Sequence, residues 1–123
     1  MADETINGRT GIILDGYTIS EKIPGCDFYP ELNLEFRPMT KPEVADVIAR
    51  IQKYRDNPVK GEEIAAEVMA QHVVSWDLTD HRGNAVPINL DMMKRLEPHL
   101  SADIFDLIRG AEATINRDAD LKN

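Results

Sequence analysis

Two helical patterns separated by the dipeptide Asn57-Pro58 constrain this fold more than any other feature of the sequence. The first begins at Thr40, whose hydroxyl can accept a hydrogen bond from a free backbone N–H while Glu43 completes a capping box. The second begins near Lys60. Helices joined by so short a turn lie antiparallel, so the sequence predicts an αα-hairpin with facing apolar stripes. The stripes consist of Val44, Val47, Ile48, Ile51 and Tyr54 in the first helix, and Ile64, Ala65, Val68, Met69, His72, Val73 and Trp76 in the second.

A hairpin signal precedes the helices. Apolar and β-branched residues at 12–14 and 17–19 flank Asp15-Gly16, a dipeptide that tolerates the positive φ angles of a type I′ turn. Such a pair between two β-rich runs is the strongest short-range hairpin signal, so residues 10–20 are predicted to form a β-hairpin.

A single strand pattern follows the break at Pro24-Gly25. Leu32, Leu34 and Phe36 alternate with polar residues, which is the period of a half-buried strand. Residues 10–38 are therefore expected to form the β-rich part of the chain.

Residues 76–88 are predicted to form a turn with a short ribbon. The centre of this segment is rich in turn-forming residues, and 76–78 can pair with 86–88. Asn89 has the chemistry of an N-cap for a short helix, and Ser101 is expected to cap the last helix.

Together these patterns predict an α+β fold that is mainly helical, with an N-terminal β-hairpin and strand layer followed by about four helices. The helices are the αα-hairpin, a short helix and a C-terminal helix, all within residues 40–116. A length of 123 residues fits a single domain, 1–123. The polar ends, 1–9 and 117–123, are expected to be flexible.

The charge of the chain argues against two classes of partner. Acidic residues outnumber basic ones by 22 to 14, for a net charge of −8, whereas nucleic acids and anionic membranes attract basic surfaces. Most of the excess lies in the second half, since residues 1–61 carry a net charge of −2 and residues 62–123 carry −6. We therefore expect a protein that binds neither nucleic acid nor membrane.

The lengths of the apolar runs and the cysteine content indicate the cell compartment in which such a protein is expected. The longest run without a charged residue is nine residues, 68–76, whereas a membrane-spanning helix needs roughly 20. The first residues lack the apolar core of a signal peptide. Cys26 is the only cysteine, which excludes an intramolecular disulfide and fits a reducing cytoplasm.

One group of residues has the chemistry of metal ligands. It comprises His72, Asp77, Asp80 and His81, but the histidines are nine residues apart and do not form a helical i, i+4 pair. Asp80 and its neighbours are residues that tight turns select. Cys26 has no base near it in the sequence and is expected to be a small, partly buried apolar residue. No catalytic, cofactor-binding or metal-binding residue is therefore predicted.

Three apolar residues are candidates for contact with a partner protein. Trp76 is the only tryptophan, and tryptophan is enriched among the residues that dominate binding interfaces. The alternative role for Trp76 is to hold the ribbon against the helices. Met92 and Met93 project about 100° apart on a short helix, so one of them is expected to be exposed. Methionine side chains adapt to varied partners.

The segment that holds these three residues resembles a known family. Residues 73–110 contain Trp76-Asp77, then Gly83, then Val86-Pro87-Ile88, then a short helix and a final helix with the sequence Ile-Phe-Asp-Leu-Ile. This arrangement resembles the small tail assembly chaperones of long-tailed bacteriophages and prophages. The run Leu-Glu-Phe-Arg-Pro-Met-Thr at residues 34–40 is similar to the lead-in to their first long helix.

The resemblance implies a non-enzymatic assembly factor that acts in the host bacterial cytoplasm during virion morphogenesis. Members of this family hold the tape-measure protein until tail-tube subunits polymerise around it, and some self-associate. The implied partners are the tape-measure protein and, after it, the tail-tube protein, with no cofactor.

Two alternatives belong to other classes of protein. A virion component, such as a head–tail connector or a tail-completion protein, would form stable rings. A small metal-dependent enzyme would use His72, Asp77 and His81 as ligands.

Overall fold

A three-stranded antiparallel sheet and four helices form the part of the chain that this computed structural model describes, residues 11–110. Two strands come first, and the third strand follows the second helix directly. This is the predicted α+β fold, with the helices after the first two strands. The elements are β1 (Ile19–Ile23), β2 (Leu32–Phe36), α1 (Lys41–Lys53), α2 (Pro58–His72), β3 (Val73–Trp76), α3 (Leu90–Lys94) and α4 (Pro98–Ile108).

β2 is the central strand of the sheet, whose order is β1-β2-β3. Its apolar residues Leu32, Leu34 and Phe36 are all buried, as the alternating sequence predicts. In the pairing with β1, Ile19 lies opposite Phe36 and Ile23 lies opposite Leu32, so both isoleucines add to the same buried face. The sheet thereby presents one apolar face to the helices.

The hairpin predicted over residues 10–20 is wrong. Its turn exists, because Gly16 has a φ of 85° and the Tyr17 N–H donates to the Leu14 carbonyl at 3.0 Å. Residues 12–14 are not a strand, however, and the strand after the turn pairs with β2 instead. A two-stranded ribbon is marginal by itself, whereas pairing with β2 buries both isoleucines of β1. Residue 10, residues 111–116 of the predicted helical part, and the termini 1–9 and 117–123 lie outside the described residues.

The predicted αα-hairpin is present, with the predicted cap on α1. Glu43 accepts from the Thr40 N–H at 2.8 Å, and the Thr40 hydroxyl accepts from the Glu43 N–H at 3.5 Å. α2 begins at Pro58, because the Asn57 side chain accepts from the Lys60 N–H at 3.2 Å and so caps the helix two residues earlier than expected.

The second helix is shorter than its stripe predicts. α2 ends at His72, and the next four residues form β3, in which Val73 pairs with Phe36 and Trp76 with Leu34. The apolar spacing in this stretch fits a helix as well as a strand, so the pattern alone favours continuation. Pairing with the buried central strand decides for the sheet, because a longer helix would leave the backbone N–H and C=O groups on one side of β2 without partners.

The last two helices differ in how well their starts are predicted. The Asn89 side chain accepts from the Met92 N–H at 2.9 Å and caps α3 as expected. Ser101, in contrast, lies inside α4 and not at its cap. Proline suits the first position of a helix, so α4 begins at Pro98, and Glu97 supplies the capping oxygen at 2.9 Å from the Leu100 N–H.

The core lies between the apolar face of the sheet and the helices α2 and α4. The largest fully buried side chains come from all three, and one polar side chain, His72, is buried with them. None of the helices within residues 11–110 is long and apolar enough to cross a membrane. The largest buried side chains are Leu32 and Phe36 from β2, Ile64 and Met69 from α2, and Ile104 and Ile108 from α4.

The loop between β1 and β2 depends on a glycine that admits no side chain. A Cβ at Gly25 would lie 2.9 Å from the Glu31 backbone nitrogen, which cannot move aside as a flexible side chain could. We therefore expect Gly25→Ala to lower the free energy of unfolding by about 1–3 kcal/mol, measured by urea denaturation.

The matched control for this substitution is Gly61→Ala. Gly61 lies in α2, and a Cβ there meets nothing within 4 Å. Alanine is the better helix former, so this variant should gain about 0.5–1 kcal/mol of stability. Equal stability of Gly25→Ala and the unaltered protein would contradict the close approach.

Candidate interaction surface

Trp76 joins the sheet to the ribbon that follows it. It is the last residue of β3, lies opposite Leu34, and is half-buried against the core. Its indole Nε1–H donates to the Val86 carbonyl at 2.8 Å, which gives the buried polar end of the ring a partner. The ring is therefore fixed in place, with part of its surface still accessible.

The ribbon predicted between residues 76–78 and 86–88 is present in part, as one bridge and one backbone hydrogen bond close to the turn. Val86 N–H donates to the Leu78 carbonyl at 3.0 Å, and Thr79 bridges Ala85. Gly83 adopts a φ of 83° at the turn, a conformation that favours glycine. The ribbon leads directly into α3, so Trp76 and the methionines of α3 belong to one continuous stretch of chain.

The two methionines of α3 have different environments. Met92 is half-buried, whereas only 2% of Met93 is exposed. One of the two was expected to be exposed, and Met92 is the more exposed of them. Met93, which was also named as a contact candidate, packs against α2 and lines a groove, so it is not a directly accessible contact. That groove, of about 380 Å³, also includes Val59, Ala66 and Met69 of α2. Trp76 and Met92 remain as partly exposed members of the predicted contact surface.

His72 has a structural position. Only 3% of it is exposed, and its Nδ1 lies 2.7 Å from the Arg37 carbonyl, which can only accept, so Nδ1 carries the proton. Its Nε2 lies 3.7 Å from the Glu43 carboxylate. His72 thus connects the end of α2 to the residue after β2 and to the first turn of α1.

The two aspartates of the metal hypothesis have separate structural positions, Asp77 against strand β2 and Asp80 within the turn of the ribbon. The Asp77 carboxylate accepts from the Asn33 side chain at 2.8 Å and the Asn33 N–H at 2.9 Å, and these hydrogen bonds lower its pKa. Asp80 accepts from the Asn84 N–H at 3.0 Å and the Arg82 N–H at 2.8 Å, which lowers its pKa. Within residues 11–110, no group of three or more potential metal ligands comes together.

The side chain of Cys26 is more exposed than is usual for a cysteine. We expected a partly buried side chain, but the thiol is free and exposed in the loop between β1 and β2. The reason is local: this loop closes on itself through the Cys26 N–H, which donates to the Tyr29 carbonyl at 2.9 Å. Tyr29 points inward and is buried in the core, and Cys26 points to solvent.

Several exposed apolar side chains were missed by sequence reasoning. Leu14 is 67% exposed and Val59 is 69% exposed, while Phe28 and Val74 also face solvent. A second groove, of about 280 Å³, lies close to Leu14. It runs between Tyr17 and the end of α4 at Ile108. Leu14 and Val59 are indistinguishable from core residues in the sequence, because each lies in an apolar run or near a helix start.

No known family profile, curated protein or solved structure matches this chain.

The stability of Trp76 variants measures how much this ring contributes to the fold, apart from any contact with a partner protein. We expect Trp76→Ala to cost about 2–3 kcal/mol of unfolding free energy, less than for a fully buried tryptophan. Trp76→Phe keeps most of the ring but loses the hydrogen bond to Val86, and should cost about 1 kcal/mol. Val74→Ala, at an exposed position of the same strand, is the control and should change stability by less than about 0.5 kcal/mol. A Trp76→Ala protein as stable as this control would show that the ring adds nothing to the core.

The cap of α1 predicts a pH dependence of stability. Hydrogen bonding from the Thr40 backbone lowers the pKa of Glu43 below its ordinary value of 4.5. A lowered folded-state pKa adds stability above the unfolded-state value, and this is lost as the pH falls through the folded-state pKa. In urea denaturation, the stability advantage of the unaltered protein over Glu43→Gln should therefore shrink between neutral pH and pH values below 4.5. A constant difference across that range would contradict the assignment.

Proposed function

We propose that this chain is a non-enzymatic tail assembly chaperone of a bacteriophage or prophage. It holds the tape-measure protein in the host bacterial cytoplasm while the tail tube is assembled. The observation that carries the proposal is the resemblance in residues 73–110, where a Trp-Asp pair, a glycine turn and Val-Pro-Ile precede two helices.

The geometry of this segment supports a binding role. Trp76 and the ribbon are held together by the bond from the indole to Val86 and by the pairing of Leu78 with Val86. A partly accessible tryptophan fixed in this way is a suitable anchor, because little side-chain entropy is lost when a partner covers it. Met92, on the helix that follows, adds an adaptable apolar contact.

The positions of three residues considered as metal ligands support the same conclusion. His72 connects β2 to α1 and α2, and Asp77 and Asp80 accept hydrogen bonds from backbone and side-chain N–H groups. Each of these residues has a structural task in the fold. We therefore assign the activity to contact with other proteins, with the tail-tube protein and self-association as further expected contacts.

The direct test is recovery of a tape-measure protein. Co-expression of the tagged chain with a tape-measure protein encoded by the same genome should yield a complex that purifies on the tag. Met92→Ser should weaken recovery, whereas Val59→Ser, at an exposed site on α2, should leave it unchanged. Failure of the unaltered chain to recover any tape-measure protein would contradict the proposal.

Two other measurements separate the proposal from its alternatives. Light scattering of the purified chain would support a head–tail connector or tail-completion protein if it showed rings of one fixed size. Metal analysis would support an enzyme if stoichiometric zinc or iron were present and were lost in His72→Ala. Under our proposal, neither the rings nor the stoichiometric metal is expected.

A further inference from the structure

The loop between β1 and β2 presents an aromatic ring to solvent. Phe28 is 57% exposed. Its ring nevertheless stacks on the imidazole of His99 at the start of α4, with the centroids 3.7 Å apart and an angle of 10° between the planes. One face of the phenyl ring is thus supported by the protein, and a large part of the ring remains accessible.

The support beneath Phe28 is itself fixed on both sides. In the loop, the buried Tyr29 donates a hydrogen bond to the Asp103 carboxylate of α4, and burial, reinforced by this bond, raises the pKa of Tyr29. On the helix, Nδ1 of His99 lies 2.8 Å from the Glu97 carboxylate, which also caps α4. The exposed ring is therefore held in position before any partner arrives, which lowers the entropic cost of binding.

The segments that hold this ring carry three carboxylates. Asp27 directly precedes Phe28 and Glu31 ends the same loop, while Glu97 bonds to His99, on which the ring stacks. The basic residue Lys22 lies 3.8 Å from Glu31 and offsets one of these three negative charges, so Asp27 and Glu97 leave the surface with a net negative charge. The surface therefore combines a fixed aromatic face with negative charge.

We propose that this surface, formed by Asp27, Phe28, Glu31 and Glu97 and here called the Phe28 surface, binds an arginine-bearing segment of a partner protein. A planar guanidinium stacks on an aromatic face and pairs with a carboxylate in two hydrogen bonds, which a lysine ammonium does less well. A purely apolar segment would instead have to remove water from the carboxylates without compensation. The inference goes beyond the proposed function, because it rests on the geometry of the Phe28 surface, whichever protein supplies the arginine.

The test uses short fluorescent peptides and the complete chain. The first peptide is rich in arginine and leucine, and two others carry lysine or citrulline in place of arginine. Fluorescence anisotropy should show the strongest binding for arginine, weaker binding for lysine and the weakest for citrulline, which keeps the planar shape without the charge. Binding of the arginine peptide should weaken as the salt concentration rises.

Three variants at position 28 separate stacking from simple apolar contact. Phe28→Ala should weaken binding of the arginine peptide about two- to fivefold, and Phe28→Leu by a similar factor, because leucine keeps apolar area but has no aromatic face. Phe28→Trp should bind at least as tightly as the unaltered chain. Val59→Ala, at an exposed apolar site on α2, should bind as the unaltered chain does.

Three results would overturn the inference. They are equal binding of the citrulline and arginine peptides, binding that tightens with salt, and an unchanged affinity in a folded Phe28→Ala protein. Since Phe28 is exposed, circular dichroism should show that the Ala and Leu variants keep the fold. None of these experiments contains a tape-measure protein, so their failure is distinguishable from failure of the proposed function.

Discussion

The pairing of β3 with β2 is the contact on which the rest of the structure depends. β3 begins at the residue after α2 ends, so the pairing of Val73 with Phe36 fixes the end of the helix against the centre of the sheet. The Arg37 N–H donates to the His72 carbonyl at 2.8 Å, and the His72 imidazole donates back to the Arg37 carbonyl at 2.7 Å. These two bonds close the junction between sheet and helices, and they explain why a polar side chain is buried there.

Both proposed contact surfaces lie at the end of the sheet opposite this junction. There the chain leaves β3 at Trp76, and the ribbon and α3 continue from it. At the same end, the loop between β1 and β2 reaches α4 through the pair of Tyr29 with Asp103 and the stack of Phe28 on His99. The sheet therefore positions two partly exposed aromatic rings, each held by a specific contact to a neighbouring segment.

Sequence reasoning succeeded where the determining interactions are local. The capping box of α1 spans Thr40 to Glu43, and the cap of α3 spans Asn89 to Met92, so both can be recognised from short patterns. The alternation of β2 is equally local and predicted its buried face correctly. The start of α4 shows the limit of such patterns, because Glu97 and Ser101 can each supply a capping oxygen and only the proline between them favours the earlier start.

The features that were missed depend on residues far apart in the chain. β3 pairs with residues about 40 positions earlier, so its helical spacing gave no warning of a strand. The stacked position of Phe28 could not be predicted for the same reason, because the ring packs on His99, which lies on a helix near the other end of the described chain. The candidate contact surface was therefore predicted in part, as Trp76 and Met92, while the burial of Met93 depends on how α2 packs over α3.

We propose that this chain acts by binding the tape-measure protein through the segment that contains Trp76 and Met92. Hydrogen–deuterium exchange, measured with and without a purified tape-measure protein, tests this claim most directly. We predict slower exchange in residues 76–92 of the complex, with the exposed start of α2 near Val59 unchanged. Unchanged exchange throughout the chain, or protection confined to regions outside 76–92, would contradict the claim.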